Sequence, residues 1–193
     1  MFARELQLSA DDLVGALLRL DAARRVQILD SGGARGDEAR FLIAGFDPFE
    51  TIEARGGRLR VYGRNGKSIR QAESADVLCV LDGRLAKYRV PRARCASRPA
   101  SGACIATFSY ELAHSFERLR SRRRAQAATT NAEPDAVLAF YDTLVIHDYA
   151  RSATEVVSVA GPERLNQAWE IINEASSVTQ SQEQICQSDA PPR

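Results

Sequence analysis

Arg25-Val26-Gln27-Ile28-Leu29-Asp30-Ser31, then Gly32-Gly33-Ala34-Arg35-Gly36-Asp37-Glu38-Ala39, then Arg40-Phe41-Leu42-Ile43-Ala44-Gly45-Phe46-Asp47-Pro48 is the stretch on which the fold turns. Two apolar runs flank a short, charged, glycine-rich loop. Val26, Ile28 and Leu29 suit one buried strand, and Phe41 to Phe46 suits the next. Gly32, Gly33 and Gly36 let the loop adopt backbone angles that other residues resist. Such a loop can gather several backbone N–H groups and the Ser31 hydroxyl around one small ligand.

Outward from that stretch, a short strand is expected over Glu5 to Leu8. Ser9-Ala10-Asp11-Asp12 then resembles a helix start, with Ser9 as N-cap and acids in the first turn. Leu13, Val14, Leu17, Leu18 and Leu20 extend that helix to about Ala22. Asp47-Pro48 ends the second core strand, because proline cannot continue a ladder. Phe49 to Ala54, the Gly56-Gly57 turn and Leu59 to Tyr62 read as a hairpin, and Asn65-Gly66 as a further turn. Ser74 is the expected cap of a helix carrying Val77, Leu78, Leu81 and Leu85 on one stripe.

Pro91 to Ser101 reads as a loop and Gly102 to Phe108 as a strand. Ser109-Tyr110-Glu111-Leu112 opens a helix with Leu112, Phe116 and Leu119 inward. Asp135 to Tyr149 is the longest strand signal, bent at Tyr141-Asp142-Thr143, and Thr154 to Val159 is its hairpin partner. Gly161-Pro162 breaks the strand and starts a helix with Leu165, Ala168, Trp169 and Ile172 on one face. From Ser176 to Arg193, Ser, Gln and Thr dominate and a disordered polar tail is expected. Hairpins outnumber crossovers, so the fold class is α+β, a mostly antiparallel β-sheet with helices packed on one face. Residues 1–175 form the folded part.

The chain has 193 residues, 45% of them hydrophobic, with 26 basic and 25 acidic side chains. That near-cancellation carries no nucleic-acid or anionic-membrane signature, and no apolar run reaches bilayer length. Arg118, Arg120, Arg122, Arg123 and Arg124 crowd one helix end without interleaved aromatic residues, so they read as a solvated surface and not as a nucleic-acid site. Cys79, Cys95, Cys104 and Cys186 have no metal-ligand spacing. They read as reduced thiols and, with no signal segment at Met1 to Glu5, point to a cytoplasmic protein. His114 and His147 stand alone, without a nucleophile at recognisable spacing. Asp142 and Asp148 read as solvated or capping acids at strand ends.

Three blocks, in order, carry a resemblance. Ile28-Leu29-Asp30-Ser31 is followed by Ala39-Arg40-Phe41 and Asp47-Pro48. Pro99-Ala100-Ser101-Gly102-Ala103 leads to Phe108-Ser109-Tyr110-Glu111-Leu112 and Phe116-Glu117. Pro134-Asp135 precedes Phe140-Tyr141-Asp142 and Asp148. Together they resemble the N-terminal region of component I of aminodeoxychorismate synthase (para-aminobenzoate synthase) and of anthranilate synthase. Phe108 to Leu112 leans toward the aminodeoxychorismate branch. Ala103, Ala106 and Tyr149 depart from the family pattern.

The resemblance implies half of a chorismate-utilising-enzyme α/β/β/α sandwich, serving para-aminobenzoate and folate synthesis. It implies a tryptophan site at Ser31, Glu38, Ala39, Arg40 and Phe41, where Ser31 would meet the amine, Glu38 or Asp30 would balance its charge and Phe41 would stack on the indole. The competing reading is that Ser31 merely ends a strand and Arg40 makes a surface ion pair. In the family, chemistry belongs to a C-terminal chorismate-binding half with its Mg²⁺-binding glutamates. No acidic cluster for Mg²⁺ follows Ile172 here, so no catalytic residue, metal site or cofactor is expected in this chain. The expected partners are a chorismate-binding chain and a glutamine amidotransferase component, or a second copy of the chain. That expectation rests on Leu59, Val61, Phe140 and Leu144 forming an exposed apolar face. The other function left open is a stand-alone tryptophan sensor, or the corresponding part of anthranilate synthase.

Overall fold

The computed structural model describes residues 1–33, 39–73, 76–89, 98–112 and 133–188. The chain divides into two compact units, one of Met1–Asp47, Arg92–Ala103 and Tyr141–Arg193, the other of Pro48–Pro91 and Cys104–Phe140.

In the first unit, strands β1 (Phe2–Leu6), β2 (Gln27–Asp30), β3 (Phe41–Gly45), β9 (Thr143–Asp148) and β10 (Ala153–Ser158) form an antiparallel sheet ordered β1-β10-β9-β3-β2. Helices α1 (Ala10–Leu18) and α3 (Pro162–Ser188) belong to the same unit. Period-2 alternation sends Leu42, Ala44, Val145 and Val156 to the helix side, where they pack with Leu13, Leu17, Leu165, Ala168 and Ile172. Each fully buried leucine contributes about 1.5–3 kcal/mol of transfer free energy. Ser9 caps α1 as expected, its side chain accepting from the Asp12 N–H at 3.2 Å. The helix stops at Leu18, short of Ala22, because Asp21 opens a separate 3-10 turn at Ala22–Arg24. β1 spans Phe2–Leu6, earlier than expected.

In the second unit, β4 (Glu50–Arg55), β5 (Arg58–Gly63), β6 (Ser68–Glu73), β7 (Ala103–Phe108) and β8 (Ala136–Tyr141) form a sheet ordered β6-β5-β4-β8-β7. Helix α2 (Val77–Tyr88) packs on it. Gly56 and Gly57 both take positive φ and make the β4–β5 turn. The long strand signal from Asp135 breaks at Asp142, leaving β8 in one sheet and β9 in the other. The expected α+β class with antiparallel pairing is what forms, in two sheets.

Several expectations change. Phe140 (2% exposed), Leu144 (1%), Leu59 (3%) and Val61 (6%) are buried, not an open apolar face. Leu59, Val61 and Phe140 share a core with Val77 of α2, and the Tyr88 ring meets Phe49 at 5.0 Å and Phe140 at 5.6 Å. The α2 stripe is rotated: Leu78 and Leu85 are exposed, while Val77, Leu81 and Tyr88 turn to the sheet. Asp76 caps α2, accepting from the Leu78 N–H at 2.9 Å. Strand β6 has no strand signal in sequence, because its side chains are nearly all exposed and polar. Tyr110–Leu112 is a 3-10 turn. The α3 backbone runs through Ser188, past Ser176 where the polar tail was expected. Ser74, Phe116, Leu119, His114, Cys95 and the arginines from Arg118 to Arg124 lie outside the described residues. Among the described residues no helix is long and apolar enough to cross a membrane.

Candidate ligand site

The β2–β3 ladder brings the ends of the central loop together. Ser31 donates its hydroxyl to the Phe41 carbonyl at 2.9 Å, and its own N–H reaches the same oxygen at 3.3 Å. This is strand-end bonding, and it places no hydroxyl proton toward a ligand. Asp30 accepts from the Gly32 N–H at 2.8 Å and from the Tyr149 hydroxyl at 2.8 Å. Gly33, at φ +60°, lies under the Tyr149 ring, and a Cβ there would come within 2.8 Å of it. Burial, reinforced by the Asp30 carboxylate, pushes the Tyr149 phenol up to about 12.

Arg40 holds Asp148 with both arms of its guanidinium, at 2.9 and 2.6 Å. That fork, aided by the Ala150 N–H at 3.1 Å, keeps the Asp148 carboxyl below its usual range despite partial burial. The Arg40 guanidinium carbon also sits 4.8 Å from the Phe41 ring centroid. Phe41, Ile146 and Asp148 then line a cavity of about 90 Å³ together with Arg98, Pro99 and Glu155. A second fork closes it, Arg98 to Glu155 at 2.5 and 2.8 Å.

So Phe41 lines the cavity together with Asp148, the residue that Arg40 holds, while the Ser31 hydroxyl is spent on the Phe41 carbonyl, Ala39 is partly buried, and Glu38 lies outside the described residues. Ligand pockets commonly enclose about 300–1,000 Å³, so this space holds a few waters and not an indole. Arg98 and Glu155 were missed in the sequence. Glu155 is cross-strand from Ile146, and only strand pairing, which a lone sequence does not reveal, puts it there.

A second cleft of about 380 Å³ lies between the β1–α1 corner and the β9–β10 turn, lined by Leu8, Ser9, Ala10, His147 and Ser152. Thr154 donates its only hydroxyl proton to the Leu8 carbonyl at 2.7 Å, so the 2.8 Å contact with His147 Nδ1 is a bond donated by the imidazole. His147 gives this proton rather than accepting one, and the hydroxyl–imidazole pair is not an activated nucleophile. Burial lowers the His147 pKa, against the opposing pull of Asp148 and Asp30. Among the described residues lining the two spaces, the His147–Thr154 pair is not an activated nucleophile.

No protein-family model matches this sequence, and no curated protein matches it significantly. Among solved structures, the chain is similar to anthranilate synthase component I from Streptococcus pneumoniae TIGR4, at 19% identity and a TM-score of 0.52. The match covers 89% of this chain and 36% of that one. Two antiparallel sheets with helices make an α+β fold similar to part of anthranilate synthase component I.

Proposed function

We propose that this chain is a non-catalytic portion of a chorismate-utilising synthase of the aminodeoxychorismate type. Its chemistry would come from a chorismate-binding chain, with Mg²⁺ held there, and ammonia from a glutamine amidotransferase component. The observation that carries this reading is the likeness over 89% of the chain to part of anthranilate synthase component I. The block Phe108–Leu112 is what favours the aminodeoxychorismate branch over the anthranilate branch. The test is product analysis after the chain is mixed with a chorismate-binding chain, an amidotransferase, chorismate, glutamine and Mg²⁺. Aminodeoxychorismate is expected; fluorescent anthranilate would move the chain to the other branch.

A second reading, an amino-acid sensor, is favoured by Phe41 and Asp148 lining one cavity, with Arg40 bonded to Asp148. Because that cavity is about 90 Å³, tryptophan entry requires the wall to open. Calorimetry with tryptophan decides it: micromolar binding that Phe41→Ala removes supports the sensor, and no heat rejects it.

A further inference from the structure

The two edges of the first sheet are treated differently. At β1, α3 covers the edge: Trp169 Nε1 donates to the Glu5 carbonyl at 2.9 Å, and Arg4 lies over the Trp169 ring at 3.6 Å while donating to Asn166. At β2 the phase of the ladder can be read. Ser31 bonds Phe41 and Tyr149 bonds Arg40, so in β3 Phe41, Ile43 and Gly45 serve β2 while Leu42 and Ala44 serve β9. Gln27 and Leu29 therefore spend their main-chain groups on β3. The N–H and C=O of Ile28 and Asp30 point outward, and no described residue takes them. Beside them the Leu29 side chain is 53% exposed, on the face away from the helices.

We propose that β2 is a docking edge for a second copy of this chain, added antiparallel about a two-fold axis at Leu29. The register is dictated by the groups available. Ile28 of one copy pairs with Asp30 of the other, so every outward N–H and C=O of both residues finds a partner. Leu29 then faces the other copy's Leu29 as a non-hydrogen-bonded pair, where side chains approach most closely. The alternative register, Ile28 on Ile28, sets exposed Leu29 against Gln27 and needs Val26, which lies outside the strand. A second copy satisfies this edge, with the exposed apolar residue on the axis. The short strand makes the dimer concentration-dependent.

Sedimentation velocity of the full chain from micromolar to near-millimolar concentration is the test. A reversible dimer is expected, lost in Leu29→Lys and in Ile28→Pro. The proline removes an outward N–H and part of the Ile28 packing on the core, and it removes no bond of the β2–β3 ladder, so a circular-dichroism melt confirms that the variant is folded before its dimerisation is read. Leu29→Cys is expected to form a reducible dimer beyond the wild-type level, since such a pair sets Cα atoms about 4.5 Å apart, within disulfide range. Gln27→Cys is expected to form none. A monomer at every concentration, or a dimer that survives both Leu29→Lys and Ile28→Pro, overturns the proposal.

Discussion

Gly45 shows how one residue fixes the first unit. A Cβ there would stand 2.6 Å from the Tyr141 ring, while the Tyr141 hydroxyl bonds the Arg25 carbonyl at 2.8 Å. Gly45→Ala is expected to destabilise by about 1–3 kcal/mol in urea unfolding, and Tyr141→Phe by about 1 kcal/mol. His147 gives a pH signature. Its folded pKa lies below the ordinary 6.5, so the unfolded chain takes up a proton first as pH falls. Stability is full above about 6.5 and declines below it. Asp148 works in the acid direction, its contribution persisting until pH drops below its ordinary 3.8. The melting temperature measured between pH 7.5 and 4.5 should therefore fall in the wild type, and His147→Gln should flatten that slope. An unchanged slope would place the proton uptake elsewhere.

Elements were legible wherever one face is buried. The cap at Ser9, the hairpin at Gly56-Gly57, the bend at Asp142 and the start at Pro162 were all readable, because each rests on local turn or capping chemistry. β6 was not, since an exposed edge strand needs no apolar alternation. The rotated face of α2 was not either: Val77, Leu81 and Tyr88 follow the sheet beneath them, and periodicity alone allowed the neighbouring stripe through Leu78 and Leu85. Of the candidate site, Arg40 and Phe41 were named from sequence, while their counterparts Asp148, Arg98 and Glu155 come from strand pairing and a distant loop. The fork between Arg40 and Asp148 ties the start of β3 to the end of β9. Arg40 is 40% exposed, so solvent screening limits the loss in Arg40→Ala to about 1 kcal/mol. Arg40→Lys should recover only part of it, because an ammonium cannot make the two-armed contact.

At the scale of the molecule, the two sheets each carry their own buried cluster, and the four apolar residues expected on an open face lie inside. Partnership with a chorismate-binding chain therefore draws no support from an exposed patch of those residues. It rests on the likeness of fold, which spans 36% of the length of anthranilate synthase component I. The most direct measurement is chorismate consumption in three parallel reactions with Mg²⁺ and ammonia: this chain alone, a chorismate-binding chain alone, and the two mixed. Turnover that rises on mixing and is absent with this chain alone is the predicted result. Consumption of chorismate by this chain alone, or no stimulation on mixing, would contradict it.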